Sequence, residues 1–285
     1  MRSLADKFLT SLQVTPLLGV LAVFFLLPIV VILAVSFWDY NEFSLLPDFV
    51  WTNYQELFSS PVTYKIYLST FMFAGLSWLF TLLIGFTVAY YLAFHVHSKL
   101  WQTLLFLLCT IPFLTSNLIR MIAWIPVLGR HGLVNSGLQN IGLIDAPLEW
   151  LLYSDFAVVL AFVHLYTLFM VVPIFNSMMK IDRSLIEAAV DAGAGGWQVL
   201  RQIIIPLCKP GIVIGSIFVI TLVMGDFVTV QTMSGGQNAS VGVAMNNKRA
   251  LLQYPAAAAD AVVLLVVVLL IVAVLMRVVN VRKEL

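Results

Sequence analysis

The sequence predicts an all-α polytopic membrane protein, and three of its properties support that fold class. Of its 285 residues, 61% are hydrophobic and 10% are charged, whereas soluble domains contain roughly 25% charged residues. The mean hydropathy is +1.01. Six apolar runs are long enough to cross a bilayer core, which requires about 20 helical residues. These predicted spans are residues 14–37, 67–94, 100–128, 156–179, 211–233 and 256–279.

The spans use nearly the whole chain, which predicts one transmembrane domain over residues 1–285. The segments between them are too short for a soluble catalytic domain. The first run follows Arg2 and Lys7, as a signal peptide would, but it is longer than the hydrophobic part of a signal peptide. We therefore expect it to be retained as the first membrane helix.

Several predicted spans contain internal proline, which removes a backbone donor and kinks a helix. Such kinks persist in lipid where neighbouring helices or a water-lined cavity satisfy the freed carbonyls. The pattern favours a moving, cavity-forming bundle, although purely structural kinks fit it as well. The prolines are Pro16 and Pro28 in the first span, Pro112 and Pro126 in the third, and Pro173 in the fourth.

The distribution of lysine and arginine predicts that both termini are cytoplasmic, because cytoplasmic loops are enriched in these residues. That orientation leaves Lys65, Arg130, Lys248 and Arg249 outside, and Arg120 falls within the third span. It also places residues 180–210 in the cytoplasm. The cytoplasmic set is larger: Arg2, Lys7, Lys99, Lys180, Arg183, Arg201, Lys209, Arg277, Arg282 and Lys283.

The polar segment 180–210 separates two apolar runs and predicts two short helices. Asp182 or Ser184 can cap the first, and Ser184 with Glu187 fits a capping box. Gly193 can end it, since glycine adopts the left-handed conformation at low cost. We expect a second helix to begin at Trp197 and to end at Pro206. Small alanines on the first helix would let another protein approach its backbone closely.

This segment resembles the EAA loop of binding-protein-dependent ABC importer permeases. The family pattern is Glu-Ala-Ala, three residues, Gly, nine residues and Ile-x-Leu-Pro, and Ile205 replaces the leucine here. An ordinary loop between membrane helices is the alternative interpretation. The resemblance implies a type I ABC importer permease fold with six transmembrane helices. It also implies a coupling loop that contacts a separate ATPase subunit through Glu187, Ala188, Ala189, Gly193 and Pro206.

Further segments are similar to the spermidine/putrescine permease branch of that family. They are residues 115–124, the Gly-x-x-Gly-hydrophobic-hydrophobic-Asn run that ends at Asn135, and residues 224–229 with Gly235 and Gly236 after them. These motifs indicate a permease strongly and its solute weakly. Importers of opines, amino-acid derivatives and phosphonates share them.

Asp226 and Arg120 fall within predicted spans, where an ionisable side chain is costly and suggests a transport pathway. At about 1.5 Å per helical residue, Asp226 lies roughly 22 Å from the start of its span and Arg120 roughly 30 Å from the start of the third. Trp124 and Phe227 are candidate aromatic partners for an amine. We therefore expect Asp226, Arg120, Trp124 and Phe227 to line a substrate pathway, with an Arg120–Asp226 salt bridge as the structural alternative.

The sequence shows no constellation expected of an enzyme. The four histidines lack neighbouring ligands at metal-binding spacing, and Cys109 and Cys208 are expected to stay unpaired. The Gly-Lys-Ser/Thr signature of a P-loop is also missing. We therefore expect no catalytic residues, no metal and no cofactor in this chain. ATP and Mg²⁺ would be bound by the partner ATPase.

The resemblance thus implies the permease subunit of an ATP-driven importer in a bacterial cytoplasmic (inner) membrane, with a polyamine as the leading solute. Its implied partners are an ATPase subunit dimer, a second homologous permease subunit, a periplasmic solute-binding protein and the lipid bilayer; no nucleic acid is expected. An integral membrane enzyme and an ion-coupled secondary carrier are the rival classes. The latter would usually show inverted repeats, which the chain lacks.

Overall fold

A computed structural model describes residues 14–41 and 44–278, whose regular secondary structure is helical apart from one two-stranded hairpin. Residues Arg2, Lys7, Arg282 and Lys283, used above to predict orientation, lie outside the described ranges. The hairpin departs from an all-α fold. In it, β1 (Asp39–Tyr40) pairs antiparallel with β2 (Leu45–Leu46), and Asp39 lies opposite Leu46.

The described helices include five that are long and apolar enough to cross a membrane, or six if one bent pair counts as a single span. The bounds of the long helices are α1 (Val14–Val35), α3 (Pro61–His95), α4 (Lys99–Leu114), α8 (Asp155–Met179), α10 (Gly196–Gly225) and α13 (Tyr254–Val278). Shorter helices complete the order: α2 (Thr52–Ser59), α5 (Asn117–Ile122), α6 (Ile125–Leu128), α7 (Leu133–Asn140), α9 (Arg183–Asp191), α11 (Val228–Met233) and α12 (Val241–Ala250).

The predicted third span, residues 100–128, is not one continuous helix. Its first part ends in a 3₁₀ turn over Ile111–Leu114, and the chain then bends by 94° before Asn117. Pro112 cannot donate a helical hydrogen bond, and extended backbone at Thr115 completes the break. The rise of about 30 Å estimated for Arg120 along a straight helix is therefore wrong.

Helix α10 also departs from the predicted bounds, because it begins inside segment 180–210 and ends at Gly225, short of residue 233. Pro206 does not end it, contrary to the prediction. The turn before this proline is π-helical, with the Ile205 N–H donating to the Leu200 carbonyl. The wider turn relieves the clash between a proline ring and the preceding carbonyls. In α1, Pro28 follows a similar π-helical turn, Ala22–Leu26.

The described residues fall into two compact units, one within Met1–Thr63 and Ala244–Val266 and the other within Tyr64–Val243 and Val267–Leu285. In the second unit, α8 and α10 pack at glycines. A Cβ on Gly211 would lie 2.5 Å from Ser177 Oγ and would clash with the Pro173 carbonyl, and one on Gly215 would lie 2.7 Å from Met170 Sδ. Glycines four residues apart allow this close backbone approach.

The first unit is held by side-chain bonds to its turns and by one ion pair. Asn53 Nδ2 donates to the Ser36 and Trp38 carbonyls at 3.1 and 2.9 Å. Asp260, in α13, is 4% exposed and lies 2.8 Å from Lys248 Nζ at the end of α12. Because a buried carboxylate is costly unless it is paired, Lys248 makes this position of Asp260 tenable.

Candidate functional sites

Three of the predicted coupling residues, Glu187, Ala188 and Ala189, lie in helix α9, which follows Asp182. Asp182 Oδ1 accepts a hydrogen bond from the Ser184 backbone N–H at 3.0 Å, which makes Asp182 the N-cap. That bond lowers the pKa of the Asp182 carboxyl below its usual range, because it stabilises the ionised form. Ser184 therefore lies inside the helix, and the predicted Ser184–Glu187 capping box does not form.

The end of α9 confirms the predicted stop at Gly193. Gly193 has a φ of +87°, a conformation that L-residues adopt at a cost. Its N–H donates to the Val190 carbonyl, and the Ala194 N–H donates to the Ala189 carbonyl, both at 2.9 Å. These two bonds form a Schellman motif, which satisfies the last carbonyls of the helix.

Large apolar side chains are exposed on α9 and at the start of α10. Leu185 is 50% exposed, Val190 56% and Trp197 70%. Glu187, Ala188 and Pro206 are exposed as well. Exposed large apolar side chains in a polar segment are typical of an interaction surface. Sequence reasoning missed Leu185, Val190 and Trp197, although large apolar residues inside a polar segment are the signal that would have identified them.

Beside α9 lies a cavity of about 660 Å³ that extends between α8 and α10. Asp182, the N-cap of α9, and Leu185 within α9 line one side, and Pro173 of α8 and Pro210 of α10 line the others. Because α9 forms part of its wall, any displacement of α9 changes the shape of this cavity.

Asp226 occupies the break between α10 and α11. Its Oδ1 accepts from the Thr229 N–H at 3.0 Å, and its Oδ2 accepts from Thr229 Oγ1 at 2.6 Å and from the Tyr166 hydroxyl at 2.7 Å. Tyr166 lies on α8 and is buried. The carboxylate thus caps α11 and links it to α8. The sequence did not reveal Tyr166 as a partner of Asp226, because the two residues lie sixty positions apart. Thr229 lies three residues after Asp226 and was missed although it is a near neighbour in the chain.

A cavity of about 440 Å³ opens beside this cluster. Its polar wall consists of Asn117, Tyr166, Thr221, Asp226 and Thr229, and the remaining wall is apolar. A carboxylate can accept about four hydrogen bonds, and Asp226 uses three. Asp226, which lines this cavity, therefore has one acceptor site left.

Arg120 and Trp124 border a different cavity, of about 330 Å³. Arg120 is 7% exposed, donates to Asn117 Oδ1 and lies 5.7 Å from the centre of the Phe113 ring. Trp124 Nε1 donates to His164 Nδ1 at 3.0 Å. The structure therefore divides the four predicted pathway residues. Phe227 packs toward Gly242 at the start of α12.

The alternative Arg120–Asp226 salt bridge does not form. Over residues 14–41 and 44–278, the ion pairs within 4.0 Å are Arg130–Glu149 and Lys248–Asp260. Both Arg120 and Asp226 therefore carry a charge that no ion pair balances among these residues. In the same ranges, no group of three or more His, Cys, Asp or Glu residues is placed to hold a metal ion.

The Gly-x-x-Gly-hydrophobic-hydrophobic-Asn run shapes the loop after α6. Asn135 is fully buried; its Nδ2 donates to the Gly129 carbonyl at 3.0 Å, and its Oδ1 accepts from the Leu148 N–H at 2.8 Å. A Cβ on Gly132 would lie 2.7 Å from the Pro126 carbonyl oxygen. These residues therefore hold the loop in place.

Comparison with known proteins agrees with this architecture. The family model of the binding-protein-dependent transport system inner membrane component matches residues 81–283. The spermidine/putrescine transport system permease protein PotB of Haemophilus influenzae is 32% identical over 244 residues, which cover 85% of this chain and 83% of that protein. PotB of Escherichia coli K12 is 34% identical over 231 residues, which cover 81% and 82%.

Two crystal structures of bacterial ABC transporters share the fold. One transporter imports the acidic polysaccharide alginate; its matching chain superposes with a TM-score of 0.77 at 20% identity, over 96% of this chain and 95% of that chain. The other is an alginate transporter in complex with a periplasmic protein that holds an alginate pentasaccharide, with a TM-score of 0.75 at 17% identity over 96% and 94%. At these identities the likeness concerns the fold alone.

Proposed function

The chain belongs to the binding-protein-dependent transport system inner membrane component family, and from that premise we propose that it helps to import a polyamine, as one of two membrane subunits driven by a separate ATPase. It is an ABC importer permease component, and the rival classes of secondary carrier and membrane enzyme lose their support. The solute, the orientation and the partners are the proposed parts.

The observation that carries the polyamine proposal is Asp226. Its carboxylate borders the 440 Å³ cavity, and no ion pair within 4.0 Å balances its charge among the described residues. An ammonium group of a polyamine can supply both a positive charge opposite the Asp226 carboxylate and a hydrogen-bond donor for its remaining acceptor site. The similarity to PotB, named as a spermidine/putrescine permease, supports the same solute class. Opines, amino-acid derivatives and phosphonates remain the alternative solutes.

Coupling to the ATPase is proposed to run through α9. An ATPase subunit dimer, which binds ATP and Mg²⁺, would hold the exposed surface around Glu187, Ala188 and Ala189, with Gly193 and Pro206 setting its shape. Closure of that dimer would displace α9 and reshape the adjoining 660 Å³ cavity. The bundle would then alternate between two states biased by nucleotide.

The remaining proposed partners follow from the family. A second, homologous permease subunit would complete the pathway, and a periplasmic solute-binding protein would deliver the solute. One of the two alginate transporter structures contains such a periplasmic protein. With both termini in the cytoplasm, α9 would face the ATPase inside a bacterial inner membrane.

Replacing the Asp226 charge tests the proposal. In Asp226→Asn the side-chain oxygen can still accept from the Thr229 N–H, but the negative charge is lost. We expect spermidine uptake by the reconstituted transporter to fall at least tenfold, while assembly and basal ATPase activity persist, since one charge-assisted hydrogen bond contributes about 1.5–3 kcal/mol.

Tyr166→Phe is the matched control. It removes one hydrogen bond to Asp226 and keeps the negative charge, so it should retain most of the uptake. Equal losses in both variants would assign the effect to the hydrogen-bond network, and normal uptake by Asp226→Asn would remove the carboxylate from the pathway. A competition assay with an opine and a phosphonate against labelled spermidine would distinguish the alternative solutes.

A further inference from the structure

The cavity beside Arg120 differs from the Asp226 cavity in the sign of its charge. It is mostly apolar, with Ile84, Val88 and Leu160 among its wall residues, and Arg120 is the cation that borders it. Arg120 is 7% exposed, so its guanidinium is largely removed from solvent. A buried cation is costly unless an anion or several acceptors compensate it.

The contacts of Arg120 do not offset the cost of burying its positive charge. A guanidinium has five N–H donors, and the hydrogen bond seen for its side chain goes to the neutral oxygen of Asn117. Its Nε is buried and has no hydrogen-bond partner in the part of the chain that the structure describes. The Phe113 ring at 5.7 Å offers a weak cation–π contact.

Trp124 and His164, which also line the cavity, contact each other. Trp124 Nε1 donates to His164 Nδ1 at 3.0 Å, and their rings meet edge to face at 5.7 Å. Neither an indole nor an imidazole is an anion, so neither group balances the charge of Arg120. The cavity volume of about 330 Å³ exceeds that of a carboxylate or a phosphate group.

We infer that the Arg120 cavity is a binding site for a single oxyanion group, a carboxylate or a phosphate, held by the free donors of the guanidinium. Arginine suits this role because its planar fork matches both oxyanions. The group has two sources, an anionic solute or the headgroup of an anionic lipid. The inference does not depend on the solute that passes Asp226.

The test uses the intact transporter in phosphatidylcholine nanodiscs, with acetate as the probe. Acetate should raise the Tm saturably, because a ligand that binds the folded state stabilises it. Neutral acetamide and an equal concentration of sodium chloride should each give less than half of that rise. If acetamide or chloride equals acetate, the oxyanion site is overturned.

Variants assign the effect to Arg120. Arg120→Gln should abolish the acetate-dependent rise and should leave the Tm without acetate at or above that of the wild type, because it removes an uncompensated charge. Arg120→Lys should retain a smaller rise, which keeps the test decisive if the glutamine variant misfolds. Arg130→Gln, which changes an exposed arginine, should behave as the wild type. An undiminished rise in Arg120→Gln or no rise in Arg120→Lys would refute the assignment.

A lipid arm distinguishes the two sources. If the headgroup of an anionic lipid fills the cavity, phosphatidylglycerol nanodiscs should raise the Tm of the wild type but not of Arg120→Gln, and acetate should then add nothing. If a solute carboxylate is the natural ligand, acetate should act equally in both lipids. A wild-type Tm that responds to neither acetate nor phosphatidylglycerol would disprove the site.

Discussion

Gly193 offers the sharpest test of the coupling proposal, because its role is purely conformational. A Cβ on Gly193 would meet nothing within 4 Å, but the residue has a φ of +87°. An L-residue in this left-handed conformation costs roughly 1–2 kcal/mol. If α9 docks on the ATPase only with its Schellman end intact, Gly193→Val should weaken ATPase binding about 5- to 30-fold.

The control is Gly196→Val, at a position that is equally exposed and open but lacks the positive φ. It should bind the ATPase nearly as well as the wild type, and Gly193→Asn should fall between the two because asparagine tolerates the left-handed region. The measurements are the affinity of the solubilised permease for its ATPase subunit and the uptake rate in vesicles. Equal affinities for Gly193→Val and the wild type would refute the reasoning.

Two further predictions concern packing and orientation. Gly211→Ala should lower the Tm in detergent by about 2–9 °C, since overpacking costs about 1–3 kcal/mol. The control Gly75→Ala, in open space on α3, should be neutral or stabilising. An unchanged Tm for Gly211→Ala would contradict the close approach of α8 and α10. A cysteine at the exposed Gln198 should react with a membrane-impermeant thiol reagent only from the cytoplasmic side, and a cysteine at Asn140 only from outside. The reverse labelling pattern would overturn the proposed orientation.

Much of the architecture could be predicted because it depends on local sequence. The apolar runs at residues 156–179 and 256–279 agree with α8 and α13 to within two residues. A long apolar run predicts a helix because backbone groups in lipid must bond to one another. Gly193 could be identified as a helix end because the left-handed conformation depends on the residue itself.

What the sequence left open depends on contacts between distant residues. Pro206 predicts a helix end, but a π-helical turn, which has no sequence signature of its own, carries α10 past it. The sequence indicates only Arg120 as a partner of Asp226, because hydroxyl groups such as that of Tyr166 are too common in the chain to single one out. The glycines Gly211 and Gly215 did have a readable signal, the four-residue spacing of small residues.

The Lys248–Asp260 pair bears on how the last helix enters the bilayer during synthesis. A lone carboxylate within an inserting helix costs about 2.5–3.5 kcal/mol at its centre, and Asp260 lies in one of the most apolar helices of the chain. Lys248 precedes Asp260 by twelve residues, so Lys248 leaves the ribosome before Asp260 does. We therefore expect Lys248 to be available as the counter-ion of Asp260 when α13 inserts.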